Sequence, residues 1–402
     1  MSFSDHPLWR KPQHYLDSDS NSDHVHWMEL FYDLVHVVSI FVLGNYLSHH
    51  LGFSGFFVFA ALFIVIWLAW FDLSLFNSIY VSTDIHHRYM MSAQIITVML
   101  MSSSISTIDG NGWSFFAMGY AINRFIIANL YRRARFVGAN SQDPFPCEMS
   151  RNYGIGATIF AVSAFLPQPY GYLLFGAGVV LMMCLFAMPK IGVTRFDRCV
   201  PRIGHMAERF ALLLLIVAGE GFFKLVITLS DVGIGTVTAD VFVNYVIGGA
   251  AIFAMCWMYF DFVGNGKPKD TSQKTLTIWT LAHVTLMLSA VCVGVALSAE
   301  VKVGFWESYP YKYAVIGCLG LAVYLYSLLV IQNIIELRKA HQFATAKIRW
   351  FGIIMAILAL ILVPYIPAIL GNLLWGTALF SQIVIPVTNA YRTLSREIAE
   401  QD

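Results

Sequence analysis

Charge is what this sequence has least of. Charged residues make up 12% of its 402 residues, against about 25% in an ordinary soluble domain. Hydrophobic residues reach 58% and mean hydropathy is +0.65. So few polar side chains cannot cover a folded surface in water, which excludes a string of soluble domains and leaves lipid as the solvent. The net charge of +1 argues against a nucleic-acid partner, because counterion release needs clustered Lys and Arg. The six cysteines, at 147, 184, 199, 256, 292 and 318, show no CxxC or metal-type spacing. They read as small core residues or free thiols, with no disulfide framework. The chain also lacks a Walker A loop, a GxGxxG in a strand–helix setting, a GxSxG and an HExxH. ATP-driven pumping by this chain alone is therefore not expected, nor is a metal or an organic cofactor.

What is present is apolar sequence in regular blocks. A helix needs ~20 apolar residues to cross the hydrocarbon core. Runs of that kind predict helices over 29–47, 54–79, 89–108, 112–131, 152–167 and 170–188, then 208–230, 239–262, 276–300, 311–335, 346–363 and 367–390. The expected fold is all-α, a polytopic integral membrane protein of about twelve transmembrane helices. The division is a polar N-terminal tail (1–28) without a cleavable signal, a first six-helix block (29–190), a connecting loop (191–207), a second block (208–391) and a C-terminal tail (392–402). The tail at 1–28 reads as flexible. Trp27, Trp113, Trp306 and Trp350 fall near helix ends, where indoles anchor at the interface.

Basic residues fall in alternate connections. Arg132, Arg133, Arg135 and Arg151 follow the fourth run, Lys190, Arg195, Arg198 and Arg202 the sixth, and Lys267, Lys269 and Lys274 the eighth. Arg338, Lys339, Lys347 and Arg349 follow the tenth, while the opposite connections carry only Lys302. Positive loops stay inside, so both termini are expected in the cytoplasm of a bacterial inner-membrane protein. The two blocks also resemble each other. Glu29 opens ELFYDLVHVV and Glu208 opens ERFALLLLIV, while WLAWFD ends at Asp72 and CWMYFD at Asp261. The expectation is a duplication into two parallel six-helix repeats.

A charge inside a membrane helix costs ~2.5–3.5 kcal/mol on insertion scales, so each needs a partner or a task. Glu29, Asp33 and His36 share one helical face. Asp72, Asp261 and His283 are expected near the same membrane side, with Glu208, Arg88 and Arg124 as structural or gating charges beside Asn123. Acids at helix N-termini also simply favour the helix dipole, which is the plain alternative for Glu29 and Glu208. Glu220 falls near mid-helix between Gly219 and Gly221. Lys224 follows at i+4, the favourable order for an ion pair, and the alternatives are a structural pair or a switchable site.

These residues carry a resemblance. HWMELFYDLVHV (26–37), ERFALLLLIVAGE (208–220), WMYFD (257–261) and LAHVTLML (281–288) resemble, in order, the bacterial low temperature requirement A (LtrA) family of membrane proteins. His36 stands where an aromatic residue is usual there. The resemblance implies a multi-pass membrane protein and assigns no chemistry. The residues themselves suggest a secondary transporter of a small solute or ion, with Glu220, Lys224, Asp33, His36, Asp72, Asp261 and His283 as binding or proton-carrying candidates. A membrane-embedded enzyme using the Asp/Glu/His set on a lipid-like or small apolar substrate is a second reading, and a structural or sensory protein a third. The lipid bilayer is the expected surrounding partner; the sequence leaves the oligomeric state open.

Overall fold

The computed structural model describes residues 8–9, 12–15, 25–82, 84–134, 144–187, 200–264, 266–336 and 343–399. Among them it is all-helical apart from one short strand pair. The helices are α1 (Trp27–His49), α2 (Phe53–Ile79), α3 (Ile85–Ser104), α4 (Gly112–Ala134), α5 (Phe145–Phe165) and α6 (Tyr170–Ala187). They continue as α7 (Ile203–Val232), α8 (Ala239–Phe262), α9 (Gln273–Glu300), α10 (Tyr311–Ile334), α11 (Ala346–Leu362) and α12 (Ala368–Ala399). Every apolar run became a helix, and the discrepancies are at polar ends. α5 starts seven residues before the predicted 152, because FPCEMSR continues the helix although it is too polar to read as membrane. α7 starts at 203, ahead of Glu208, and α12 continues past 390 as a polar turn. Part of the tail expected to be flexible is ordered as β1 (Gln13–His14), which pairs antiparallel with β2 (Tyr80–Val81).

Nine of these helices are long and apolar enough to cross a membrane: α1, α2, α3, and α7 through α12. α4 falls short because Asn123, Arg124, Arg132 and Arg133 dilute it, and α5 because of its polar first turns, while α6 is apolar throughout and shorter than the nine. The packing is turned inside out relative to a soluble protein. On α1, Glu29, Asp33 and His36 are buried while Leu34 and Val38 are each 58% exposed. On α7, Glu220 is buried and Phe223 and Val226 are exposed. Where the outer medium is hydrocarbon, apolar side chains cost nothing outside and polar ones must find partners inside.

The chain forms two compact units. The first comprises residues 1–46, 58–209 and 270–277, the second 47–57, 210–269 and 278–402. In the first, α4 packs against α3 and α5, and α5 against α6. Its core is aromatic, with Trp113, Phe116, Tyr120, Phe160 and Phe175 in edge and tilted contacts. In the second, α11 packs between α10 and α12, and α12 also meets α8. Glycine allows the tightest approach there. A Cβ at Gly352 of α11 would fall 2.9 Å from the Ala378 carbonyl oxygen and on top of the Gln382 amide.

Candidate functional site

In the first unit, two acids of α1 face two bases of α7. Glu29 and Asp33 stand one turn apart, as do His205 and Arg209, so each pair shares a helical face. Arg209 Nη1 donates to Asp33 Oδ2 at 2.8 Å, and His205 Nε2 lies 3.1 Å from Glu29 Oε2. Arg209 Nε is also 3.7 Å from Glu29 Oε2. α2 closes the cluster. Trp70 Nε1 donates to Asp33 Oδ1 at 2.7 Å, and Arg209 Nε and Nη2 donate to Ser74 Oγ at 3.2 and 2.9 Å. The guanidinium also lies over the Trp70 ring, 5.4 Å from its centroid. All four ionisable side chains are buried. Arg209 is permanently charged and gives Asp33 a fixed counter-charge, whereas the Glu29–His205 contact is an ion pair only while the imidazole carries its second proton.

Two residues from both Trp70 and Ser74 on α2, Asp72 binds Arg124 of α4 in a second buried ion pair. Arg124 Nη2 donates to Asn123 Oδ1 at 2.5 Å, and the Asn123 amide in turn donates to Gln94 and to Thr97 Oγ1, the latter at 2.8 Å. Tyr120 and Tyr153 flank the guanidinium with ring centroids at 4.6 and 5.8 Å. Arg124 Nε makes no hydrogen bond, but the other contacts form a connected polar network, the arrangement that holds helices in one register when lipid supplies no hydrogen bonds.

The second unit holds Glu220. It is 0% exposed, and neither carboxylate oxygen has a hydrogen-bond partner. Lys224 is one turn away, but its ammonium donates to Ser48 Oγ at 3.0 Å. Gly221 lets α9 come close: a Cβ built at Gly294 would be 3.3 Å from the Gly221 Cα and 3.8 Å from Glu220 Oε2. Gly219 faces open space and plays no part in that approach. Beside this crossing, Gly221, Gly294, Ile252, Cys256 and Tyr324 line a cavity of about 20 Å³, room for one water-sized occupant. His283 is elsewhere in the unit. Its Nδ1 is 2.7 Å from the Trp279 carbonyl oxygen, its Nε2 is 3.2 Å from Tyr259 Oη, and its ring stacks on Phe210 with centroids 4.3 Å apart.

Residues 24–388 match the family model for bacterial low temperature requirement A protein (LtrA). The chain belongs to the LtrA family. No curated protein and no solved structure matches it. The ordered motifs at 26–37, 208–220, 257–261 and 281–288 all fall inside the matched segment.

In this LtrA chain the structure brings together some of the residues singled out by sequence and separates others. Asp33 and Glu29 meet in one cluster, and Asp72 and Arg124 in the next. His36 joins neither through its ring: Nδ1 lies 2.9 Å from the Tyr32 carbonyl oxygen. Asp261 is exposed and accepts a hydrogen bond from Trp257 Nε1 on its own helix, so it stands apart from a buried acidic network. Glu208 is half-buried, and Arg88 is exposed on α3. Sequence reading missed His205 and Arg209. Their signal was available: they flank Glu208 at the i, i+4 spacing that complements Glu29 and Asp33. It also missed Arg349, buried among Gln332, Gln382 and Met258. Among the described residues no group of three His, Cys, Asp or Glu side chains is arranged to hold a metal ion, and the described cysteines, 147, 184, 256, 292 and 318, are free. Cys199 lies outside the described residues.

Proposed function

We propose that this LtrA-family chain is a secondary transporter in the bacterial cytoplasmic membrane, moving a small solute coupled to protons or cations. In this reading both termini are cytoplasmic and the two halves descend from a parallel six-helix duplication. The observation that carries it is Glu220, a buried acid well inside a 30-residue apolar helix whose carboxylate oxygens accept no hydrogen bond. Burying an unsatisfied carboxylate is costly. A residue that serves only packing has no reason to be an acid there, whereas one that takes up and releases a proton or cation does. The close Gly221–Gly294 approach supports the same reading, since a crossing without intervening side chains can slide with little steric cost. Lys224, held by Ser48, supplies a nearby charge that favours the unoccupied carboxylate.

The test is flux. Protein reconstituted in liposomes with an entrapped pH dye should show proton movement that Glu220→Gln abolishes while the variant retains its wild-type melting temperature. Undiminished flux in Glu220→Gln refutes the proposal. So does a large loss of stability in Glu220→Gln that a further Lys224→Met restores, because that pattern marks a purely structural pair.

A further inference from the structure

A second acid of the same unit, the half-buried Glu300, sits against a different cavity. Glu300 is the last residue of α9. With Tyr309, Tyr313, Asn372, Trp375 and Gly317 it lines a pocket of about 30 Å³. The enclosure is firmly built. Asn244 Nδ2 of α8 donates to the Glu300 and Val303 carbonyl oxygens at 3.1 and 2.9 Å, fixing the end of α9. The connection that follows is tied to the start of α12, with Ala368 N donating to Glu307 O at 2.9 Å and Ile369 N to Phe305 O at 3.0 Å. At the base, a Cβ on Gly317 would fall 2.7 Å from Ala296 Cβ, so α9 and α10 are as close as glycine permits.

Apart from the Asn372 amide N–H, the polar atoms offered to this space are oxygens. Tyr309 Oη donates its proton to the Ala296 carbonyl oxygen at 3.1 Å, so only its lone pairs remain for another partner. Tyr313 Oη likewise donates to the Ser48 carbonyl oxygen, at 3.3 Å. The Asn372 side chain hydrogen-bonds the Glu300 carboxylate through its amide N–H and has a carbonyl oxygen left to give. No Lys, Arg or His lines the pocket, so the carboxylate meets oxygens and aromatic faces with no cation among them. A partly buried negative charge in such surroundings favours a positive partner, and aromatic faces favour one too.

We propose that this pocket binds one monovalent cation, shed of most of its water, with Glu300 as the compensating charge and Asn372 and Tyr309 as neutral oxygen donors. The single carboxylate in the lining balances one positive charge, which favours a monovalent ion over the common divalent ones. Mg²⁺ keeps several of its waters and Ca²⁺ takes 6–8 oxygens, commonly from more than one carboxylate, whereas the pocket has room for a water-sized occupant and one carboxylate. As a site for the coupling ion, the assignment rests on the transport reading above; as a binding site it does not.

The experiment is thermal unfolding of the full-length protein in detergent, at fixed pH and ionic strength, with NaCl or KCl replacing N-methyl-D-glucamine chloride. A ligand that binds only the folded state raises the melting temperature along a saturable curve. The expected result is such a rise with Na⁺ or K⁺, lost in Glu300→Gln, weakened at least several-fold in Asn372→Leu and Tyr309→Phe, and retained in Glu220→Gln. Equal melting temperatures in all three salts would overturn the proposal. An undiminished rise in Glu300→Gln would do so too, and if that variant does not fold, unchanged affinity in both Asn372→Leu and Tyr309→Phe decides against it. Cation-specific stabilisation in a protein without flux would remove the transport reading and keep this site. Flux without cation-specific stabilisation would do the reverse.

Discussion

Arg209 Nη1 and Asp33 Oδ2 are 2.8 Å apart across 176 residues of sequence, with both side chains buried. The pair ties α7 to α1, and Trp70 and Ser74 of α2 complete it. Removing one partner of such a pair leaves an uncompensated buried charge, at a cost of ~3–5 kcal/mol. Arg209→Met is therefore expected to lower stability by that order in denaturant titrations in detergent. Asp33→Asn combined with Arg209→Met should recover most of it, because Asn keeps an oxygen for Trp70. An Arg209→Met protein within ~1 kcal/mol of wild type would show that the pair contributes no more than a surface ion pair.

The α11–α12 contact depends on a missing side chain. A Cβ at Gly352 would collide with the Gln382 amide and the Ala378 carbonyl oxygen, and Gln382 is itself held by donation to the Ile348 and Ala378 carbonyl oxygens at 2.9 and 3.2 Å. Overpacking of this kind costs ~1–3 kcal/mol. Gly352→Ala should lower the melting temperature, whereas Gly219→Ala, where a Cβ meets open space, should be neutral or slightly stabilising. Equal effects at the two positions would contradict the packing described.

Asp84, just outside α3, predicts a pH dependence. It caps the helix by accepting from His87 N at 3.4 Å, with Ser82 Oγ donating at 2.8 Å and Arg133 Nη2 at 2.5 Å. Partial burial pushes its carboxyl up, but the Arg133 and Ser82 hydrogen bonds and the Arg133 charge outweigh that and hold it below the usual carboxylate value. A value depressed by folding means that its stabilisation is present above the unfolded value, ~3.9, and is lost as pH falls through the folded one. Asp84→Ala should cost ~0.5–2 kcal/mol at neutral pH, the usual worth of an N-cap. The gap from wild type should narrow as pH falls below the usual carboxylate range. A gap independent of pH would show that the carboxylate charge does not contribute.

Topology follows from the basic connections. Reporter fusions after residues 140, 195 and 340 are expected to report the cytoplasm, and fusions near 50, 110, 235 and 305 the opposite side. One reproducible exchange of sides breaks the six-plus-six arrangement.

The spans were legible in the sequence because apolarity over ~20 residues is a local property, and it is what lipid selects. α8 was predicted at its observed limits, 239–262, and α10 within one residue. Ends were less legible where the helix continues into polar sequence, as at Phe145 and beyond 390, since hydrogen bonding carries a helix past its apolar part. The acids were conspicuous too: Glu29, Asp33, Asp72 and Glu220 stand out against hydrocarbon. Their partners were not. Lys224, which the spacing sets beside Glu220, is its nearby charge, but the hydrogen bond of its ammonium goes to Ser48. The resemblance between the two blocks highlights Glu208, yet His205 and Arg209 are the α7 residues that meet α1. Glu300, at a helix end, passed unnoticed until the 301–310 connection and α12 folded around it. A buried charge is recognised by its cost, which composition reveals. Its partner is set by how each helix is rotated and how closely its neighbours approach, and those depend on packing among segments far apart in the chain.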